Sequence, residues 1–161
     1  MTYNTIKIKK YSDVIEEIDA VEVFTPGHLL EETSAGKVQK HSTEASTVLP
    51  MFALENELEG EGIDDAFSAD DKVQCWIPYR GDMVYAWLAD GEDVDIGNPL
   101  VSNGDGTLRK MVEKLESSAD TTIDYSHRVV GFAVEAKDLS ESSGGESSGL
   151  IGDQHIVVRI I

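Results

Sequence analysis

The residues that most invite a chemical reading are Gly145-Glu146-Ser147-Ser148-Gly149, which fit the G-x-S-x-G nucleophile elbow, followed in hydrolase order by Asp153 and His155. The elbow works because a strained turn between a strand and a helix lifts the serine out of a large α/β sheet. Here a Ser/Gly-rich loop leads into a short C-terminal strand. Asp153 and His155, two apart on that strand, point the same way, and no separate scaffold aims them at Ser147. The pattern fails on its context.

The other candidates fall for similar reasons. Asp64-Asp65, Asp70-Asp71 and the pair Asp93 and Asp95 lie beside Gly, Ser and Lys in predicted turns. Paired general acid–base work needs an apolar cleft that drives two carboxyl pKa values apart. Asn103-Gly104-Asp105-Gly106-Thr107 resembles a calcium loop, but its sixth position is Leu108 where Gly is required and its twelfth is Lys114 where Glu is required. His28, His41, His127 and His155 contain no i,i+4 pair, so a metal site would have to be assembled across strands. Gly36-Lys37 lacks the upstream glycine and following Ser/Thr of a phosphate loop. The single cysteine, Cys75, sits at an inward strand position and reads as a small hydrophobe. Neither an enzyme nor a cofactor or metal protein is expected.

The elements that would position these residues are strands. With 161 residues, 40% hydrophobic and 27% charged, one domain can bury a core without disulfide or zinc. Apolar residues recur at period two between turn residues roughly every ten positions, the rhythm of a mainly β protein. Strands are predicted over 21–24, 29–32, 37–41, 51–56, 73–77, 83–89, 108–112, 128–136 and 155–161. Faint helical patterns appear only over 13–20 and 110–118. In 73–77, Val73, Cys75 and Ile77 share a face. In 83–89, Met83, Tyr85 and Trp87 oppose Val84, Ala86 and Leu88, so both faces are apolar. That strand is expected to be covered on one side by a barrel interior and on the other by an arm or a neighbouring chain. The link 78–82, with Pro78 and Gly81, reads as a hairpin. Trp76, Tyr85 and Trp87 become the candidate oligomer interface, with core packing as the competing reading for the tryptophans. Residues 140–149 read as a flexible loop.

Charge divides the chain. Of 13 Lys+Arg and 31 Asp+Glu, the segment 1–12 holds Lys7, Lys9 and Lys10 and no acid, leaving −21 on the remainder. So negative a body is repelled by nucleic-acid phosphates and anionic lipid, and no apolar run reaches the roughly 20 residues of a membrane span. A soluble protein made in a reducing cytoplasm is expected, with an extended arm over residues 1–20 and a β-barrel body over 21–161. The arm alternates apolar and basic residues: Tyr3, Ile6, Lys7, Ile8, Lys9, Lys10, Tyr11. It is expected to be poorly ordered in the free protein and to add a strand to an acidic target, so that its loss would leave the melting temperature little changed.

Several blocks together carry a resemblance: TIKIKKY over 5–11, TPGHL over 25–29, AGKVQKHS over 35–42, PMFALEN over 50–56 with GIDDA over 62–66, and the stretch from Asp90-Gly91 through Ile96-Gly97 to SNGDGTL over 102–108. In order and spacing this resembles the head decoration (cement) proteins of tailed bacteriophages over residues 3–109 and 129–161, departing from them at 111–127 and 140–149. The resemblance implies a small β-barrel or β-clip body on the outer face of the major capsid lattice of the virion. It also implies a symmetric oligomer, a terminal arm reaching across neighbouring capsid subunits, and no catalytic residues. A homotrimer is the oligomer expected, because the two apolar faces of 83–89 and the two tryptophans exceed what one small barrel needs to fill.

A rival of another class is a barrel-sandwich carrier or small-ligand domain. Residues 91–100, with Val94, Ile96, Gly97 and Leu100 after a turn, resemble the quasi-repeat of lipoyl and biotinyl domains. The carrier lysine should then stand at a hairpin tip, a context that Leu108-Arg109-Lys110-Met111 matches poorly.

Overall fold

β-Branched and aromatic residues alternate through the chain, and the computed structural model resolves that alternation into thirteen strands, with no α-helix among the described residues 4–9, 14–112, 128–140 and 152–161. Five strands close a small barrel: β7 (Met83–Leu88), β10 (Leu108–Lys110), β9 (Pro99–Ser102), β11 (Gly131–Ala133) and β13 (Gln154–Ile160), which returns to pair with β7. All of its pairings are antiparallel except β10 with β7. The expected mainly β barrel body is what the chain forms.

A three-stranded sheet packs beside the barrel in the order β2 (Val14–Asp19), β6 (Lys72–Ile77), β5 (Phe52–Ala53). A hairpin of β3 (Leu30–Glu32) and β4 (Val38–Lys40), and a short pair of β8 (Asp93–Val94) with β12 (Lys137–Asp138), complete the fold. β6 divides two cores. Trp76 faces the barrel cluster with Phe52, Leu54, Val84, Leu88 and Ile156, whereas Val73 and Cys75 face a second cluster with Phe24, Leu30, Val38 and Phe67.

Three expectations change for identifiable reasons. Residues 13–20 carry a helix-like spacing because Ile15 and Ile18 stand three apart. In β2 they point to opposite sides, Ile15 to the barrel core and Ile18 to the second core. The stretch 21–24 is irregular: only Phe24 bridges, to Phe67, and Val21 and Val23 are exposed. The link 78–82 is not a hairpin, since β6 and β7 belong to different sheets and do not pair. The buried Asp82 holds this crossover by accepting from the Tyr79 amide at 2.7 Å. The helical pattern over 110–118 begins in β10 at Lys110, and its residues from 113 on lie outside the described residues, as does 141–149 of the expected flexible loop.

The N-terminal segment departs most from expectation. β1 (Lys7–Lys9) pairs antiparallel with β7, Lys7 opposite Val84 and Lys9 opposite Met83, with a bulge between them. Ile6 is wholly buried in the barrel core, and its carbonyl accepts from the Tyr85 amide at 2.9 Å. The Ile6 amide and the Thr5 hydroxyl both donate to the carboxylate of Glu55, itself buried. β2 follows in the second sheet. Residues 6–9 and 14–19 are therefore built into the body and do not hang from it as a loose arm, because one apolar side chain of the alternation has a socket in the core.

Removing the Ile6 side chain beyond Cβ should cost about 2–4 kcal/mol, in the range of buried large-to-small substitutions. Lys7→Ala, at a partly exposed strand position, should stay within about 0.5 kcal/mol. Urea unfolding of the two variants checks this. An Ile6→Ala protein as stable as the wild type would mean that the segment is docked only loosely.

Candidate functional site: the N-terminal strand and the outer face of β7

The outer face of β7 shows how the chain covers its own aromatics. Register places His155 of β13 directly opposite Trp87 and Val157 opposite Tyr85. The His155 ring lies 3.8 Å from the Trp87 ring and stacks on Tyr85 at 4.6 Å and 17°. The turn at 25–28 then closes over them. Trp87 donates its indole N–H to the Pro26 carbonyl at 2.8 Å and its backbone N–H to the Gly27 carbonyl at 3.3 Å, while the Gly27 amide reaches the Ala53 carbonyl at 2.9 Å. Only glycine serves at position 27. Its φ is +90°, and a Cβ there would stand 3.0 Å from His155 Nε2 and 3.1 Å from the Tyr85 carbonyl oxygen.

The proposed oligomer interface is revised accordingly. Trp76 has no exposed surface and belongs to the barrel core, so it has nothing to offer a second copy. Tyr85 is 6% exposed, hidden beneath His155, and only Trp87 remains half-buried. What covers the second apolar face of β7 is His155 and the 25–28 turn of the same chain.

Of the arm residues, Ile6 is core, Lys7 and Ile8 are partly exposed, and Lys9 is a strand residue. Tyr3, Lys10 and Tyr11 lie outside the described residues. Among the described residues β1 pairs with β7 alone, so within them its other edge is open, and the strand carries Lys7 and Lys9.

Most of the remaining candidates make structural contacts. Asp153 accepts from the Asp90 amide at 2.9 Å, and His155 sits in the aromatic stack, while Ser147 and His127 lie outside the described residues. Asp65 and Asp71 accept from the amides of Gly62 and Ser68, and Asp70 pairs with Lys37. Asp105 accepts from the Thr107 amide and hydroxyl, closing a tight turn. Among the described residues no group of three or more His, Cys, Asp or Glu is placed to hold a metal. Burial pushes the Cys75 thiol up to about 12, the reverse of an activated nucleophile. Lys110 lies within β10, its Nζ on the Asp93 carbonyl, and not at a hairpin tip.

One arrangement has no signature in the sequence. The Ser102 hydroxyl lies 2.7 Å from His41 Nδ1, and His41 Nε2 faces the Glu31 carboxylate at 3.7 Å, the order of groups found in a serine hydrolase. Ser102 is fully buried and its oxygen already accepts from the Gly104 amide at 3.1 Å, so no substrate reaches it. Glu31 accepts from Ser42 and from Gln39. Burial raises its pKa, but those donors together lower it below the ordinary carboxylate value. The three groups form a polar tie between the β3–β4 hairpin and β9. Ser102 and His41 come from distant parts of the chain, and no local pattern announces them. No protein family and no curated protein matches the chain.

Burial depresses all three described histidines. For His28 and His41 the direction is downward, opposed in the first by the Thr25 carbonyl and in the second by Glu31. His155 falls to about 4, mainly through burial, with Lys137 and His28 adding to the effect and the Pro26 carbonyl opposing it. The unfolded chain takes up a proton at His155 near pH 6.5, the folded chain only near 4. The stabilising effect of keeping His155 neutral is therefore full above pH 6.5 and is lost as pH falls toward 4. Between pH 7 and pH 5 this group should remove about 2 kcal/mol of stability, with a His155→Phe variant losing that much less than the wild type. Paired urea titrations at the two pH values decide it; equal losses in both proteins would show that His155 is not buried as described.

Proposed function

We propose that this protein is a decoration protein of a tailed-phage head, binding the outer surface of the major capsid lattice of the virion after synthesis in the host cytoplasm. The observation that carries the reading is the placement of charge. A chain of net −18 concentrates Lys7, Lys9 and Lys10 in its N-terminal segment, and two of them stand on β1, whose outer edge is open among the described residues. An edge of that kind accepts a further strand through its backbone groups, and lysine there favours an acidic strand while repelling a second copy of itself. The small barrel body agrees with an architectural role.

Assembly as a symmetric oligomer on the lattice rests on the resemblance to the cement proteins, whereas the argument for a homotrimer from the aromatics of β6 and β7 falls with their burial within one chain. Oligomer contacts would draw instead on exposed apolar side chains such as Phe132 and Ile161.

The triple variant Lys7→Glu, Lys9→Glu, Lys10→Glu keeps Ile6 in its socket and Glu55 partnered, so it should fold. It should fail to co-sediment with expanded, undecorated heads, whereas wild-type binding should weaken as salt rises. A triple variant that decorates heads with wild-type affinity would overturn the role of β1.

A further inference from the structure

A second contact point lies beside the outer face of β7, where Thr25, His28, Asp64, Trp87 and Asp153 line a cleft of about 220 Å³. Three other clefts of the described residues lack its combination of groups. The one beside His41 has its polar atoms engaged in the Ser102–His41–Glu31 tie, and the one beside Glu17 and Glu59 is an acidic surface with no indole wall. Here an aromatic wall and two carboxylates converge. The Trp87 indole is fixed in orientation by its bond to the Pro26 carbonyl and by the His155 ring behind it. Asp153 is fixed through the Asp90 amide, and Asp64 is exposed at the rim. The His28 ring, 5.6 Å from the indole, has its Nδ1–H committed to the Thr25 carbonyl, and burial lowers its pKa and so disfavours a competing positive charge there.

We propose that this cleft receives an arginine side chain presented by a partner protein. An indole wall favours the planar guanidinium and the methylene stem behind it, and two carboxylates supply acceptors for its fork of N–H donors. The charge of the surroundings selects the same ligand. Around the cleft Asp64, Asp105 and Asp153 outnumber Lys40 and Lys137, and the chain beyond position 12 carries −21, so a cation is attracted to this face and an anion is repelled. The inference names the side chain received and not the protein that carries it, so it does not depend on the capsid reading.

The test uses the full-length protein with N-acetyl-arginine amide as probe and N-acetyl-citrulline amide, its uncharged isostere, as control, read by the two indole N–H signals in ¹H–¹⁵N spectra. Trp87 should shift and saturate with the arginine probe, while Trp76, buried in the core, should stay still as an internal reference. Citrulline amide should bind at least five-fold more weakly. The double variant Asp64→Asn, Asp153→Asn retains the acceptor that holds the Asp90 amide and should also weaken arginine binding at least five-fold. An unsaturable or absent Trp87 shift, or equal affinity for citrulline amide, overturns the proposal on the wild-type protein alone. An unchanged affinity in a folded double variant overturns it as well.

Discussion

The pairing of β7 with β13, running from Leu88 opposite Gln154 to Met83 opposite Arg159, is the interaction on which the rest of the molecule depends. It closes the barrel, and by closing it removes an edge that a five-stranded sheet would otherwise leave open. The same register decides both faces of β7. Val84, Ala86 and Leu88 turn into the core against Ile156 and Val158, and Tyr85 and Trp87 turn outward against His155. A slip of one residue would send the aromatics into a barrel too small for them and leave His155 facing aliphatic side chains.

The opposite edge of β7 is shared. β10 meets it only at Leu88, near its end, and β1 occupies the part that begins at Met83. The N-terminal strand thus finishes the barrel wall as well as presenting lysines. Ile6 fills the core, Glu55 satisfies Thr5 and the Ile6 amide, and leaving this seat would strand a buried carboxylate without those two donors. With β1 already held in place, a partner strand added to the edge that is open among the described residues would leave little ordering entropy to be lost in this segment.

Much of this was legible in the residues. The alternation of Val73, Cys75 and Ile77 and the two apolar faces of 83–89 announce strands whose sides differ, and they are found so. Long-range pairing was not legible. Nothing near Trp76 says that it faces the barrel core, nor does anything near Trp87 say that His155, far along the chain, would cover it, since both follow from strand registers set by the whole sheet. Ile6 misled for a similar reason: alternation with lysine describes an edge strand and a free arm equally well, and only a socket in the core separates them. Short strands such as β8 and β12, two residues each, carry too few positions for period two to be visible. The Ser102–His41–Glu31 tie joins distant segments and leaves no mark in any one of them.

The central claim is that β1 is seated on the barrel before any partner arrives and gains its partner through the outer edge. Amide hydrogen exchange, measured residue by residue on the free protein and on protein bound to expanded heads, tests it most directly. The account predicts that the Tyr85 amide, bonded to the Ile6 carbonyl, is already protected in the free protein, and that residues 7–9 gain protection on the heads. Free-chain exchange of Tyr85 at the rate of an open loop, or no change across residues 7–9 on binding, would contradict it.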